Sequence, residues 1–208
     1  MFFGIAILVS HRPSRQFHTA ALYRFGNELW MGDLQSHLRT CRTKAEPTES
    51  TYWVAPDLVE EDQRILAAKV DAWLDKNENK IPYSVAHPGG VVFRDDVWVG
   101  DEPGQGLTCA TFLVELFKEL AIPFIDVETW RKRDGDDEWA KKILPLICAS
   151  MSQMHVDAQR IRIGDTIRVR PTDVAAAGLL VNQEMDVALT FDQVAPTSER
   201  VEAKLLAE

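Results

Sequence analysis

The sequence is poor in cysteine and has no excess of basic residues. Its three cysteines, Cys41, Cys109 and Cys148, lie far apart and form no CxxC pair, so the sequence does not indicate a disulfide framework. This cysteine usage favours a reducing, cytoplasmic location. The 23 basic and 32 acidic residues give a net charge of −9, which argues against a nucleic-acid partner.

Long hydrophobic runs are also missing. The apolar stretch at residues 2–9 has no basic residue before it and no small-residue cleavage pattern after it, unlike a secretory signal peptide. It is too short to span a bilayer, so we predict a buried first strand and no membrane span. Internal repeats and low-complexity tracts are absent as well. The 208 residues, of which 46% are hydrophobic, are therefore predicted to form a single domain, residues 1–208.

What the sequence does contain is a glycine-rich loop, residues 104–108, that runs into a helix. Apolar residues recur at three- and four-residue steps between positions 112 and 120, so one stripe of this helix is predicted to pack on a core. Cys109 lies in its first turn, where unpaired amide N–H groups favour a thiolate and hence a nucleophile. Gly104 and Gly106 are expected to leave room for a substrate. The alternative is that Cys109 is a small buried core residue.

A predicted β-hairpin supplies a histidine and an acidic residue. Residues 18–25 are predicted to form a strand, Gly26-Asn27 a tight turn, and residues 28–34 the partner strand. This turn would place His18 and Asp33 close to each other. A lone histidine at a strand end is more often a surface or hydrogen-bonded residue than a base, so the role of His18 depends on its partners.

The remaining segments predict a mixed α+β chain. Residues 36–50 are predicted to be a connecting loop, and Asp57 is predicted to be the N-cap of a helix that ends near Lys76. The segment 126–142 is predicted to be a charged surface insertion that leads into an apolar helix near residues 143–151. Strict alternation over residues 160–170 predicts a β-hairpin with its arginines facing solvent. The other predicted elements are strands at 51–55, 91–93 and 185–191, and helices after residue 171 and over 198–208.

The order of these elements resembles the circularly permuted branch of the NlpC-like papain-fold cysteine hydrolases. This branch includes the YiiX-type and YebB-type bacterial proteins and is related to the lecithin–retinol acyltransferase family. The likeness covers roughly residues 15–120. The motifs that match are His18 followed by Ala21-Leu22-Tyr23, Tyr52-Trp53-Val54-Ala55-Pro56 before a helix, Pro82-Tyr83, and Thr108-Cys109-Ala110.

The resemblance implies a permuted papain-like fold, in which an antiparallel sheet packs on the cysteine-bearing helix. It implies that Cys109 is a thiolate nucleophile and His18 a general base, with a polar residue on the next strand that orients the imidazole. Family members carry that residue about a dozen positions after the histidine, which here falls on Trp30 and Met31. The nearest polar candidates are Asp33 and, second, Glu28.

The expected function is hydrolysis or transfer of an acyl group from an amide or ester through a thioester on Cys109. The oxyanion would be bound by the backbone N–H of Cys109 and by a second donor, for which His87 and Gln105 are candidates. The family acts on peptidoglycan fragments, on peptides and on acyl lipids. No cofactor is expected.

Two other functions compete with this one. A metal site would use the pairs His37 with Cys41 and Cys148 with His155, although neither spacing matches a known zinc motif. An inactive papain-like scaffold would be a binding protein, since fold does not fix function. An imidazole beyond hydrogen-bond reach of Cys109 would favour that inactive scaffold.

Overall fold

A computed structural model describes residues 2–11, 13–45, 52–85, 87, 90, 92–165 and 167–207. Within these residues the chain is a mixed α+β structure with a five-stranded antiparallel sheet, a two-stranded ribbon and six α-helices. The strands are β1 (Phe3–His11), β2 (Gln16–Phe25), β3 (Glu28–Ser36), β4 (Arg39–Lys44), β5 (Tyr52–Val54), β6 (Phe93–Arg94) and β7 (Val97–Trp98). The helices are α1 (Glu60–Lys76), α2 (Cys109–Glu119), α3 (Asp136–Ile147), α4 (Gln153–Arg162), α5 (Pro171–Leu180) and α6 (Phe191–Ala207).

The five strands lie in the order β4-β3-β2-β1-β5, and every neighbouring pair is antiparallel. Strands β1 to β4, which follow one another along the chain, pair with their sequence neighbours as antiparallel hairpins. The predicted turn at Gly26-Asn27 is present, and Gly26 has the positive φ of 61° that this turn requires. The predicted β2–β3 hairpin is therefore confirmed.

Helices α1, α2 and α5 pack against the sheet. The apolar stripe predicted for α2 is buried, with Phe112, Leu113, Leu116 and Phe117 all inaccessible to solvent. Close packing of α1 depends on Gly32 of β3, where a Cβ atom would lie 2.6 Å from Leu74. The cysteine-bearing helix thus packs on the antiparallel sheet, as expected.

The prediction of a connecting loop over residues 36–50 was wrong for its first half. Residues Arg39–Lys44 form β4, which pairs with β3 at the edge of the sheet. Most of this strand is at least partly exposed, so its polar residues need not alternate with apolar ones. Residues 46–50 lie outside the described residues.

The predicted hairpin over residues 160–170 was also wrong. The first half of this segment ends helix α4, and the second half is an extended connection to α5. Ser152 caps α4 by accepting a hydrogen bond from the backbone N–H of His155 (3.2 Å). Ile161, which the hairpin would have buried, is 81% exposed. Four alternating residues were too few to distinguish a strand from the last turn of a helix.

The segment 126–142 is only partly the solvated surface insertion that was predicted, because several of its residues are buried. Trp130 and Asp136 are each only 3% exposed, and α3 begins inside the segment. Asp136 accepts hydrogen bonds from Nε (3.1 Å) and Nη2 (2.9 Å) of Arg170. Arg133 and Asp136 thus pair with charges of other segments, Asp173 and Arg170, whereas a sequence pattern alone favoured solvation for all the charges.

Smaller differences concern the ends of elements. Helix α1 begins at Glu60 rather than after an Asp57 cap, and Val59 at its N-cap makes no side-chain hydrogen bond. The predicted strand at 185–191 is reduced to one bridge between Leu189 and Ile125. Helix α6 begins at Phe191, seven residues before the predicted helical tail. Among the described helices, none combines the length and apolar composition needed to cross a membrane.

Candidate active site

Cys109 is the first residue of α2. The preceding residue, Thr108, is the N-cap, and its side chain accepts a hydrogen bond from the backbone N–H of Thr111 (3.1 Å). Thr111 reciprocates, because its hydroxyl accepts from the backbone N–H of Thr108 (2.8 Å). This capping box holds the first turn of α2 and thereby the position of the thiol. Cys109 is 5% exposed.

The loop before Cys109 is held by backbone contacts. The backbone N–H of Leu107 donates to Pro82 O (2.9 Å), and that of Ser84 donates to Leu107 O (3.2 Å). A Cβ atom on Gly106 would lie 2.4 Å from Pro82 O, so a glycine is required by this approach of two backbones. A Cβ atom on Gly104 would lie 2.9 Å from Ala158. Both glycines thus face protein atoms, and the expectation that they open the site to a substrate was wrong.

His18 of β2 and Asp33 of β3 are in contact, as the hairpin prediction expected. The register pairs Ala21 with Gly32, and its continuation places Asp33 diagonally from His18 across the two strands. Nε2–H of His18 donates a hydrogen bond to Oδ2 of Asp33. The contact leaves Nδ1 as the ring nitrogen available to another group.

The imidazole of His18 also lies beside the thiol of Cys109, near enough for each group to shift the pKa of the other. Burial would lower the pKa of His18, but the adjacent Cys109 thiolate and the Asp33 carboxylate outweigh burial and raise that pKa to about 10. Burial would raise the pKa of Cys109, but the charge and hydrogen bond of His18 and the backbone N–H of Thr19 lower it. The favoured state is therefore a thiolate–imidazolium pair.

A cavity of about 170 Å³ opens beside this pair. Cys109 and His18 line it together with Thr108 at the helix start. Its other walls come from distant parts of the chain. Apolar walls are formed by Trp139, Ile143, Ile147 and Val169, and polar ones by Gln35, Tyr83 and Arg168. The thiol thus faces a space that a small acyl group can enter.

Several residues considered from the sequence lie elsewhere. Glu28 forms an ion pair with Lys44 at the opposite end of β3, so it does not orient His18. His87 hydrogen-bonds Glu115 (2.9 Å), and Gln105 lies beside Glu102. Neither His87 nor Gln105 is among the described residues that line the cavity, so neither supplies the second oxyanion donor.

The residues weighed for a metal site are only partly brought together. The rings of His37 and His155 lie 5.1 Å apart, centroid to centroid. Both nitrogens of His155 are used by the loop, because Nδ1 accepts from Gly104 N (3.1 Å) and Nε2–H donates to Tyr83 O (3.0 Å). Across the described ranges, no group of three or more metal-binding side chains occurs.

Tyr83 and Arg168 are the cavity residues whose placement sequence reasoning missed. The resemblance uses Tyr83 only as half of the Pro82-Tyr83 motif, but in the structure Tyr83 belongs to the segment that meets Gly106. The alternating pattern around Arg168 predicts a solvent-facing hairpin instead. The place of Arg168 in the cavity follows from the packing of α3 and α5, for which the sequence holds no local signal.

Comparisons with known proteins do not extend these observations. No family model, curated protein or solved structure matches this chain.

Proposed function

We propose that this chain is a cysteine-dependent hydrolase or acyltransferase with a permuted papain-like, NlpC-like fold, acting on an amide or ester bond. The observation that carries the proposal is the contact of one imidazole with both a helix-start thiol and a carboxylate, beside an open cavity. A buried cysteine with only a structural role needs no such pair of partners. An imidazole within reach of the thiol also meets the condition that separates this function from an inactive scaffold.

In the first step, the thiolate of Cys109 attacks the carbonyl carbon of the substrate. The tetrahedral intermediate then collapses, and its C–N or C–O bond breaks as the imidazolium of His18 gives its proton to the leaving group. A thioester on Cys109 remains. Neutral His18 next takes a proton from water, or from an acceptor alcohol or amine, which attacks the thioester and releases the acyl product and the thiolate.

Asp33 has the role of a positioning residue in this mechanism. Its hydrogen bond to Nε2 of His18 selects the tautomer and the ring orientation that leave Nδ1 toward the thiol. Its charge stabilises the imidazolium on which the leaving-group proton is held. A carboxylate at this position fits both tasks, because it accepts hydrogen bonds and is negatively charged at neutral pH.

The oxyanion would meet two donors. One is the backbone N–H of Cys109, which has no intrahelical partner at the start of α2. For the second we propose the hydroxyl of Tyr83, which replaces the earlier candidates His87 and Gln105. Tyr83 lines the cavity, and its burial raises the pKa of the phenol, so that the hydroxyl keeps its proton and donates at neutral pH.

The proposal is tested by intact-mass measurement after incubation with a panel of peptides, acyl amides and acyl esters. The wild-type chain is expected to gain the mass of one acyl group on Cys109. Cys109→Ala should lose this adduct and all turnover, while Cys148→Ala, a matched control at a partly exposed cysteine, should keep both. Iodoacetamide labelling that is faster at Cys41 or Cys148 than at Cys109 would locate the reactive thiol elsewhere. An unreactive Cys109 would instead favour the inactive binding scaffold.

A further inference from the structure

Arg168 is a cation in the wall of the cavity that contains the thiol. Its guanidinium carbon lies 3.7 Å from the centre of the Trp139 ring, a cation–π contact that restrains the group. The side chain is 13% exposed. It lines both the cavity of Cys109 and an adjoining one of about 300 Å³.

The charge of Arg168 is only weakly neutralised, by one carboxylate that it shares with Arg170. Its Nη1 lies 4.0 Å from Oδ1 of Asp136, but that oxygen already accepts two hydrogen bonds from Arg170. The other buried carboxylate nearby, Asp173, is bound by both terminal nitrogens of Arg133 (2.9 and 2.6 Å). Among the described residues, none accepts a hydrogen bond from the guanidinium of Arg168.

The electrostatics agree with a cation that is only weakly paired. Burial, followed by the like charge of Arg170, lowers the pKa of Arg168 to about 10. At neutral pH the group is therefore still charged, in a place where its charge is costly. A buried charge that the fold itself pairs only weakly is a common feature of sites where a ligand supplies a closer partner.

The surroundings favour an anion on the Cys109 side of Arg168. No Asp or Glu is found among the described residues that line the cavity of Cys109. The adjoining cavity carries charges of both signs, from Asp134, Glu138 and Glu202 and from Arg15, Lys142 and Arg170. In the first cavity the cations are Arg168 and the imidazolium of His18, and the thiolate of Cys109 is the one negative charge among its described lining residues, so an incoming anion meets a net positive charge.

We propose that Arg168 binds a carboxylate of the substrate, located a few bonds from the carbonyl that Cys109 attacks. The inference rests on the proposed function and narrows it to carboxylate-bearing acyl compounds. Two geometric points support it. Arg168 and Cys109 border one cavity of about 170 Å³, which holds only a short acyl group between them. A planar guanidinium restrained by Trp139 presents paired N–H donors that match a carboxylate.

Two alkylating reagents of nearly equal size test the proposal without a known substrate. Iodoacetate carries a carboxylate next to its reacting carbon, and iodoacetamide carries a neutral amide in its place. The rate constant of iodoacetate at Cys109, divided by that of iodoacetamide, is expected to fall about tenfold in Arg168→Gln. A hydrogen bond to a charged group contributes at least that factor. The rate with iodoacetamide alone should change by less than about twofold, since the thiolate–imidazolium pair is untouched.

The matched control is Arg15→Gln, which removes a cation that borders only the adjoining cavity. It should leave the ratio unchanged, and Arg168→Lys should give an intermediate ratio. An unchanged ratio in a folded Arg168→Gln would overturn the carboxylate proposal while leaving the proposed function standing. A wild-type Cys109 that reacts with neither reagent would overturn both.

A second measurement does not depend on the folding of a variant. Butyrate should protect wild-type Cys109 from iodoacetamide at concentrations where butyramide, its neutral isostere, does not. Equal protection by the two compounds, or protection by neither, would contradict a carboxylate site at Arg168.

Discussion

At the scale of single residues, Cys109 is subject to two opposing effects on its pKa. Burial disfavours the charged thiolate, whereas His18 and the amide of Thr19 stabilise it, and the balance lowers the pKa. The Cys109 thiolate and the Asp33 carboxylate in turn raise the pKa of His18 to about 10. Each charge stabilises the other, so Cys109 and His18 are expected to titrate as a coupled pair.

The pH dependence of alkylation tests this coupling. In a Cys41→Ala, Cys148→Ala background, iodoacetamide should react with Cys109 well below the ordinary cysteine pKa of about 8.5. In His18→Ala the main stabiliser of the thiolate is lost and burial dominates, so the thiol pKa rises. The rate at pH 6.5 is then expected to fall about 100-fold, because a thiol of pKa 8.5 is only about 1% ionised there.

The direction of each pH effect follows from the direction of the pKa shift of the group that titrates. As pH falls through the lowered pKa of Cys109, the thiolate is protonated and the reaction slows. As pH rises through about 10, His18 loses the proton that the leaving group needs, so turnover declines while alkylation does not. A wild-type profile with an ordinary thiol pKa, unchanged in His18→Ala, would contradict the pair.

At the scale of elements, the site is a junction between the loop before α2 and the extended residues 82–85. Helix α4 supports this junction from outside, because Gln159 accepts from the backbone N–H of Val85 (2.9 Å) and donates to Tyr83 O (3.1 Å). Gly106 lets the two backbones approach. The positions of Tyr83 and of the first turn of α2 therefore depend on the same contact.

Gly106→Ala tests the role of this junction. The new Cβ atom would lie 2.4 Å from Pro82 O, so the two backbones must separate. We expect a loss of about 1–3 kcal/mol in the free energy of unfolding, measured by urea denaturation. The alkylation rate of Cys109 should fall as well, since the thiol moves relative to His18.

Gly26→Ala is the control for this variant. Its Cβ atom would meet nothing within 4 Å, and the cost comes from a positive φ alone. It should lose stability while keeping the reactivity of Cys109. Equal reactivity of the wild type and Gly106→Ala would show that the junction does not position the thiol.

At the scale of the whole molecule, buried charges join the C-terminal helices to the segment before α3. Asp173 of α5 is fully buried and accepts hydrogen bonds from Arg133, from the backbone N–H of Arg170 (2.8 Å) and from Ser198 (2.7 Å). Burial opposes ionisation of Asp173, but Arg133 outweighs it and lowers the pKa. This network holds the extended stretch that carries Arg168.

Asp173→Asn removes the negative charge and leaves Arg133 buried without a counter-ion. A loss of about 3–5 kcal/mol in the free energy of unfolding is expected, because breaking one side of a buried ion pair leaves an uncompensated charge. Tryptophan fluorescence in urea measures it. Asp192→Asn, at an exposed ion pair with Arg131, should change stability by less than about 0.5 kcal/mol.

The stability from Asp173 also has a defined pH window. Because its folded-state pKa is lowered, the contribution is present above the unfolded value of about 3.9 and is lost as pH falls through the folded value. Between wild type and Asp173→Asn, the difference in stability should therefore shrink only in acid. A difference that is constant down to that range would contradict the ion-pair explanation.

Local patterns allowed part of this structure to be predicted. The β2–β3 hairpin, the contact of His18 with Asp33 and the start of α2 at Cys109 all depend on residues close in sequence. The edge strand β4 and the interior charges of residues 126–142 were missed. An exposed strand and a buried ion-pair network both have polar sequences, so composition does not distinguish them from loops and solvated surface.

Neighbouring residues set the reactive groups of this chain, because short-range turns and helix caps depend on residues close in sequence. These groups are a thiol at a helix start and an imidazole beside a carboxylate in a tight hairpin. Only the tertiary structure decided that His18 meets Cys109 and that Arg168 enters the same cavity. These contacts join residues far apart along the chain, and their geometry is set by how the helices pack on the sheet. The alternating pattern around Arg168 is equally compatible with a solvent-facing strand, so packing alone brought its charge to the thiol.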